Sequence, residues 1–171
     1  MSEQVTVDSL EFARSGKTLS GNFQLASLAR LHDQLASLDA TLAYELNGCL
    51  DEKGQPGLHC RVRGTLKLTC QRCLEPMDWE VVLDSQLLLV TTEAQLGEDE
   101  DELDGPDRLL AQKEMDVRAL VEEEVLLGLP LAPRHGEGRC RMAVTQAGTA
   151  SHPLAVLAQL ARPDTDKRDR E

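Results

Sequence analysis

Apolar positions follow two different periods along this chain. Val5 and Val7 alternate with polar residues, as a short strand does, and Leu25, Leu28, Leu31 and Leu35 then recur at helical spacing, which predicts an amphipathic helix over residues 22–38. Leu42, Tyr44 and Leu46 alternate at period two, the Gly- and Pro-containing residues 51–57 predict a turn, and Leu58, Cys60, Val62, Leu66 and Leu68 alternate again. A third strand, residues 79–90, follows Cys70-Gln71-Arg72-Cys73. The middle of the chain therefore reads as a hairpin or meander with a cysteine turn between two strands.

Further on, Asp116 is placed to cap a helix whose Val117, Leu120, Val121 and Val125 form one apolar stripe against Glu122 and Glu123, and which stops near Gly128 and Pro130. Its first turns read as acidic, as the helix dipole prefers. Residues 131–151 show no periodicity, a short last helix is expected from Pro153 through Leu154, Leu157 and Leu160, and residues 162–171 should be a frayed, charged tail. Alternating strands leave an apolar face that stripes on helices can cover. The expected fold is α+β, an antiparallel β-sheet packed by two or three helices. A chain of 171 residues suits one domain, taken as residues 1–161.

Composition sharpens this picture. Trp79, Tyr44, Phe12 and Phe23 are the only aromatics, so the core must be aliphatic and stacking on nucleic-acid bases is nearly unavailable. The net charge of -12 argues against a protein that coats nucleic acid over its whole surface. Residues 97–107 hold seven acids and no base, too polar to bury, and are expected to be a disordered, mobile acidic loop. Residues 53–73 hold five bases and no acid. Among these, Arg61, Arg63 and Lys67 share the outward face of one strand, a candidate surface for RNA or an acidic partner, or else a solvated face with cationic edge protection. No run of eighteen apolar residues is present and the first ten residues lack a secretory pattern, so a cytoplasmic protein without a membrane partner is expected.

Cys70 and Cys73 have the spacing at which a tight turn can grip one metal ion, and His135 with Cys140 is the candidate second pair. Together they would form a Cys3His set suited to tetrahedral zinc. The alternative reading makes the two cysteines small buried apolar residues and His135 an ordinary exposed histidine. Cys49 and Cys60 fall on strand patterns and are expected as buried or half-buried thiols. A CxxC redox centre needs a helix whose amino terminus stabilises thiolate, whereas Leu74-Glu75-Pro76 and a strand follow here, so thiol oxidoreductase chemistry ranks last. No phosphate loop, nucleophile elbow or catalytic dyad is recognisable, which points away from an enzyme.

Three stretches, Gly64-Thr65-Leu66-Lys67-Leu68-Thr69-Cys70-Gln71-Arg72-Cys73-Leu74-Glu75-Pro76, residues 116–133 with their acidic helix ending in Leu129-Pro130, and residues 153–160, together resemble the YceD family. That resemblance implies a non-enzymatic role in producing or accumulating 23S rRNA of the large ribosomal subunit. The partners it implies are rRNA or a pre-ribosomal particle, or, for an adaptor, a ribosomal protein or an RNA-processing enzyme. Arg72, Arg134, Arg139 and Arg141, which flank the cysteine turn and the His135–Cys140 segment, join Arg61, Arg63 and Lys67 as candidate contacts. Other members of the family carry a second CxxC-like cluster where this chain has His135 and Cys140.

Overall fold

The computed structural model describes residues 5–97 and 105–140. The expected helix at Pro153, the charged tail, Arg141 and residues 98–104 of the acidic loop lie outside the described residues.

Among the described residues, eight strands and two α-helices follow in the order β1 (Thr6–Val7), α1 (Ser9–Arg14), β2 (Thr18–Gln24), β3 (Leu35–Ser37), β4 (Thr41–Leu50), β5 (Pro56–Thr69), β6 (Pro76–Val90), β7 (Asp107–Leu110), β8 (Met115–Asp116) and α2 (Val117–Gly128). The main sheet runs β2-β4-β5-β6-β7, with β3 also paired to β5. The meander expected from the alternation is present: Leu46 faces Cys60, Val62 faces Leu83 and Leu66 faces Trp79 in antiparallel ladders. The edge differs from expectation, because β7 runs parallel to β6, Leu87 opposite Asp107 and Val90 opposite Leu110. The sheet is therefore mixed. The last residue of the expected acidic loop, Asp107, is the first residue of that edge strand.

The inward set of β4 and β5, Leu42, Leu46, Leu58, Cys60, Val62, Leu66 and Leu68, is almost wholly shut off from water and joins Phe12 of α1 and Val117, Val121 and Val125 of α2 in one core. Alternation at period two put these residues on one face, and burial of each leucine contributes about 2 kcal/mol. The helix α1 lies so close to β4 that a Cβ on Gly48 would come within 2.2 Å of the Phe12 carbonyl oxygen. Only glycine fits there.

The helix expected over residues 22–38 does not form. β2 occupies its start, 3-10 turns follow at Leu25–Ser27 and Ala29–Gln34, and β3 takes Leu35. Leu25, Leu28 and Leu31 are spaced by three, which is the repeat of a 3-10 helix, and all three are fully buried. From α2, the Glu122 carboxylate accepts the Arg30 backbone N–H at 2.7 Å and Glu123 pairs with the Arg30 guanidinium, tying this segment down.

Helix α2 starts where expected: the Asp116 side chain accepts N–H bonds from Arg118 and Ala119. Its first turn carries no acid, so the negative charge at that end is the cap itself. Glu122 and Glu124, read as solvent-facing or unplaced, are buried. Cys60 is buried as expected, while Cys49 is exposed. No described helix is long and apolar enough to cross a membrane.

Candidate metal centre

Strands β5 and β6 end their ladder at the Thr69–Pro76 pair, and the six residues between them make a tight turn. The turn is closed by Leu74 N–H donating to the Cys70 carbonyl at 2.8 Å and Cys70 N–H donating to the Glu75 carbonyl at 3.0 Å. In this geometry Leu74 takes a φ of 61°, the only positive φ among the described non-glycine residues. A side chain in that region costs about 1 kcal/mol relative to glycine. Leu74 also stands 73% exposed.

A second arm, residues 129–140, leaves the end of α2 and returns to this turn. The Gln71 N–H donates to the Pro133 carbonyl at 2.8 Å, and a turn with Gly138 at φ 74° and Arg139 N–H donating to Gly136 leads into Cys140. The arm thereby brings His135 and Cys140 to Cys70 and Cys73. One ligand atom from each of these four residues lies within 4.8 Å of every other. The Cys70 and Cys140 sulfurs are 3.7 Å apart, and His135 Nδ1 lies 3.4 Å from Cys73 Sγ and 3.8 Å from Cys140 Sγ.

These separations match a tetrahedral ion. Bonds of about 2.3 Å to sulfur and about 2.0 Å to nitrogen imply edges of about 3.8 Å between sulfurs and about 3.5 Å between sulfur and nitrogen. The cysteines are all free thiols. Burial alone would raise the Cys70 thiol, but backbone N–H groups of His135, Cys73 and Arg72 and the Cys73 thiol outweigh it and bring it down to about 5. The turn, rather than a helix terminus, stabilises that thiolate. Cys140 is raised instead, by burial, by its hydrogen bonds with Cys70 and Cys73 and by their charges. A favoured thiolate at Cys70 beside a Cys140 thiol whose ionisation its neighbours oppose fits a cation at the centre of the group. The four residues singled out from spacing are thus brought together and could hold a metal.

Arg72, Arg134 and Arg139 flank the cluster and are exposed, together with Glu75 and Glu137. The other candidate surface differs from expectation. The register of the sheet sets Arg61 between Glu45 and Asp84, with Arg61 Nη1 at 3.1 Å from Glu45 and Nε at 3.4 Å from Asp84, and sets Lys67 against Asp78 at 2.8 Å. Asp84 also touches His59. Hydrogen bonding from His59 foremost, and from Asn47 foremost, holds the carboxyls of Asp84 and Glu45 below their ordinary range. Arg63 faces Ala43 and Val82 and has no ion pair among the described residues. Two of the three strand bases are therefore already matched by acids on neighbouring strands. The sequence carried no signal for the exposed Leu74, because a CxxC turn does not state which following residue takes the positive φ.

Fold and cluster together define an α+β protein built on a six-stranded mixed sheet, with β1 and β8 paired in a second, two-stranded sheet, and with a candidate Cys3His metal-ligand set formed by one hairpin turn and one remote arm. A family model described as "Large ribosomal RNA subunit accumulation protein YceD" matches residues 58–161, a span that includes all four residues of the cluster, and the chain belongs to that family. A Haemophilus influenzae protein named Large ribosomal RNA subunit accumulation protein YceD is 25% identical over 165 residues, which cover 91% of this chain and 94% of that protein. No solved structure matches the chain.

Proposed function

We propose that this chain supports accumulation of large-subunit ribosomal RNA as a non-enzymatic assembly factor that binds the pre-ribosomal particle through its cysteine turn. Membership of the YceD family and the name of the Haemophilus relative support the process. The observation that carries the mechanism is the convergence of Cys70, Cys73, His135 and Cys140 to within 4.8 Å although the two pairs stand 62 to 70 positions apart in sequence. Three thiolates and one imidazole in tetrahedral array select zinc over the harder divalent ions. With all four protein ligands engaged the site leaves no open position for a substrate, so the ion is structural. Its effect is to fix Arg72, Arg134 and Arg139 beside one another, where they meet an acidic group of the particle, rRNA or protein, at short range. The negative charge elsewhere on the chain is screened beyond about 8 Å at physiological salt. Arg141 follows directly on the last ligand and extends the same set in sequence. Arg61 and Lys67, already paired, contribute less than these arginines, and Arg63 remains available on the strand face.

Measuring 23S against 16S rRNA in a deletion strain tests this reading. A specific deficit of 23S is expected, restored by the unaltered gene and not by a Cys73→Ser, Cys140→Ser double variant. An unchanged ratio in the deletion strain would overturn the functional assignment, and full rescue by the double variant would overturn the role of the metal.

A further inference from the structure

Leu74 combines two features that neither folding nor metal binding requires. Its backbone sits at φ 61°, where glycine is favoured, and its side chain is 73% exposed at the tip of the turn. A turn needed only to hold an ion would be better served by glycine. On the arm held against this turn through Gln71 and Pro133, Leu131 is fully exposed as well. The charges nearby do not favour a purely electrostatic surface. A zinc ion with three thiolates has a formal charge of -1, Arg72, Arg134 and Arg139 add three positive charges, and Glu75 and Glu137 remove two, which leaves none. Counterion release from so balanced a face gives little affinity, so apolar burial must supply the rest.

We infer that Leu74 is the apolar anchor by which the turn docks on a protein component of the pre-ribosomal particle, at a socket bordered by carboxylates that face the unpaired arginines. This deepens the assembly-factor reading and rests on it. An aliphatic side chain offers a base neither a π-face nor a hydrogen bond, while a polypeptide socket can enclose it and small apolar anchors of this kind dominate protein interfaces when they are fully desolvated. Among the described residues Arg72, Arg134 and Arg139 have no ion pair, so carboxylates around such a socket would complete them.

The test uses the full chain and large-subunit precursor particles purified from cells lacking it. Leu74→Gly is expected to keep its zinc and an equal or higher thermal midpoint, yet to bind the particles at least tenfold more weakly with the same salt dependence. A photoreactive benzoylphenylalanine placed at position 74 is expected to crosslink to a ribosomal polypeptide in those particles. Unchanged affinity of Leu74→Gly, or crosslinks that fall on rRNA or on residues 141–171 of the chain itself, would overturn the inference while leaving the assembly-factor reading intact. Failure of the unsubstituted protein to bind the particles would overturn that reading, and the inference with it.

Discussion

Replacing Cys140 by serine should release the arm of residues 129–140 while leaving the sheet folded. Leu131 is fully exposed and none of residues 130–140 contributes an apolar side chain to the core, so the arm is held by the Gln71–Pro133 hydrogen bond and the metal cluster. That bond is worth about 1 kcal/mol, whereas ordering some twelve backbone units costs about 1 kcal/mol each, or about 12 kcal/mol in all. A structural zinc contributes about 10–16 kcal/mol. A metal bound by the cluster would account for the order of the arm, and the hydrogen bond alone cannot. Hydrogen exchange read by mass spectrometry should show the Gln71 amide and residues 134–140 losing protection in Cys140→Ser or after chelation, while amides of β4 and β5 keep theirs. Persistent protection of the arm in metal-free protein would refute the argument. So would global unfolding of Cys140→Ser, because it would place the arm in the cooperative core.

Cys60, pushed up to about 12 by burial and then by the charge of Glu124, stays neutral in the fold at pH values where the unfolded thiol, at about 8.5, ionises. Its contribution is fully present below about pH 8.5 and is lost as pH rises toward 12, so stability should fall by about 3 kcal/mol between pH 8.5 and 11 relative to Cys60→Ala, as read from urea unfolding of both proteins; parallel pH profiles would contradict this. Gly48→Ala should destabilise by about 3 kcal/mol, because its Cβ would meet the Phe12 carbonyl at 2.2 Å and drive α1 off the sheet, measurable as a lowered urea midpoint. Leu31→Ala should cost about 3 kcal/mol in the same assay, since Leu31 is fully buried, whereas an exposed helical face would lose almost nothing.

The strands of the meander were legible because inward and outward residues alternate from Leu42 to Leu46 and again from Leu58 to Leu68 on either side of a Gly- and Pro-containing turn, and α2 because Asp116, the Val117–Val125 stripe and Gly128 agree on one element. The segment from Leu25 to Leu35 was misread for a physical reason. Spacing by three fits one face of an α-helix as well as the repeat of a 3-10 helix, and only the contacts of Arg30 with Glu122 and Glu123, ninety residues away, decide between them. The parallel pairing of β7 could not be read from four residues flanking an acidic loop. Of the candidate contacts, the ligand set was visible in residue type and spacing, while the pairing of Arg61 and Lys67 depended on the register of β5 against its neighbours. A pattern of bases on one strand carries no information about acids on the next.

The central claim, that residues separated by up to seventy positions hold one zinc ion, is tested most directly by X-ray absorption at the zinc edge of the purified full-length protein, with native mass spectrometry for stoichiometry. One zinc per chain is expected, surrounded by three sulfurs at about 2.3 Å and one nitrogen at about 2.0 Å. A zinc bound by two sulfurs and light-atom ligands, or protein isolated without metal whose three cluster thiols are alkylated at equal, unprotected rates, would contradict the account.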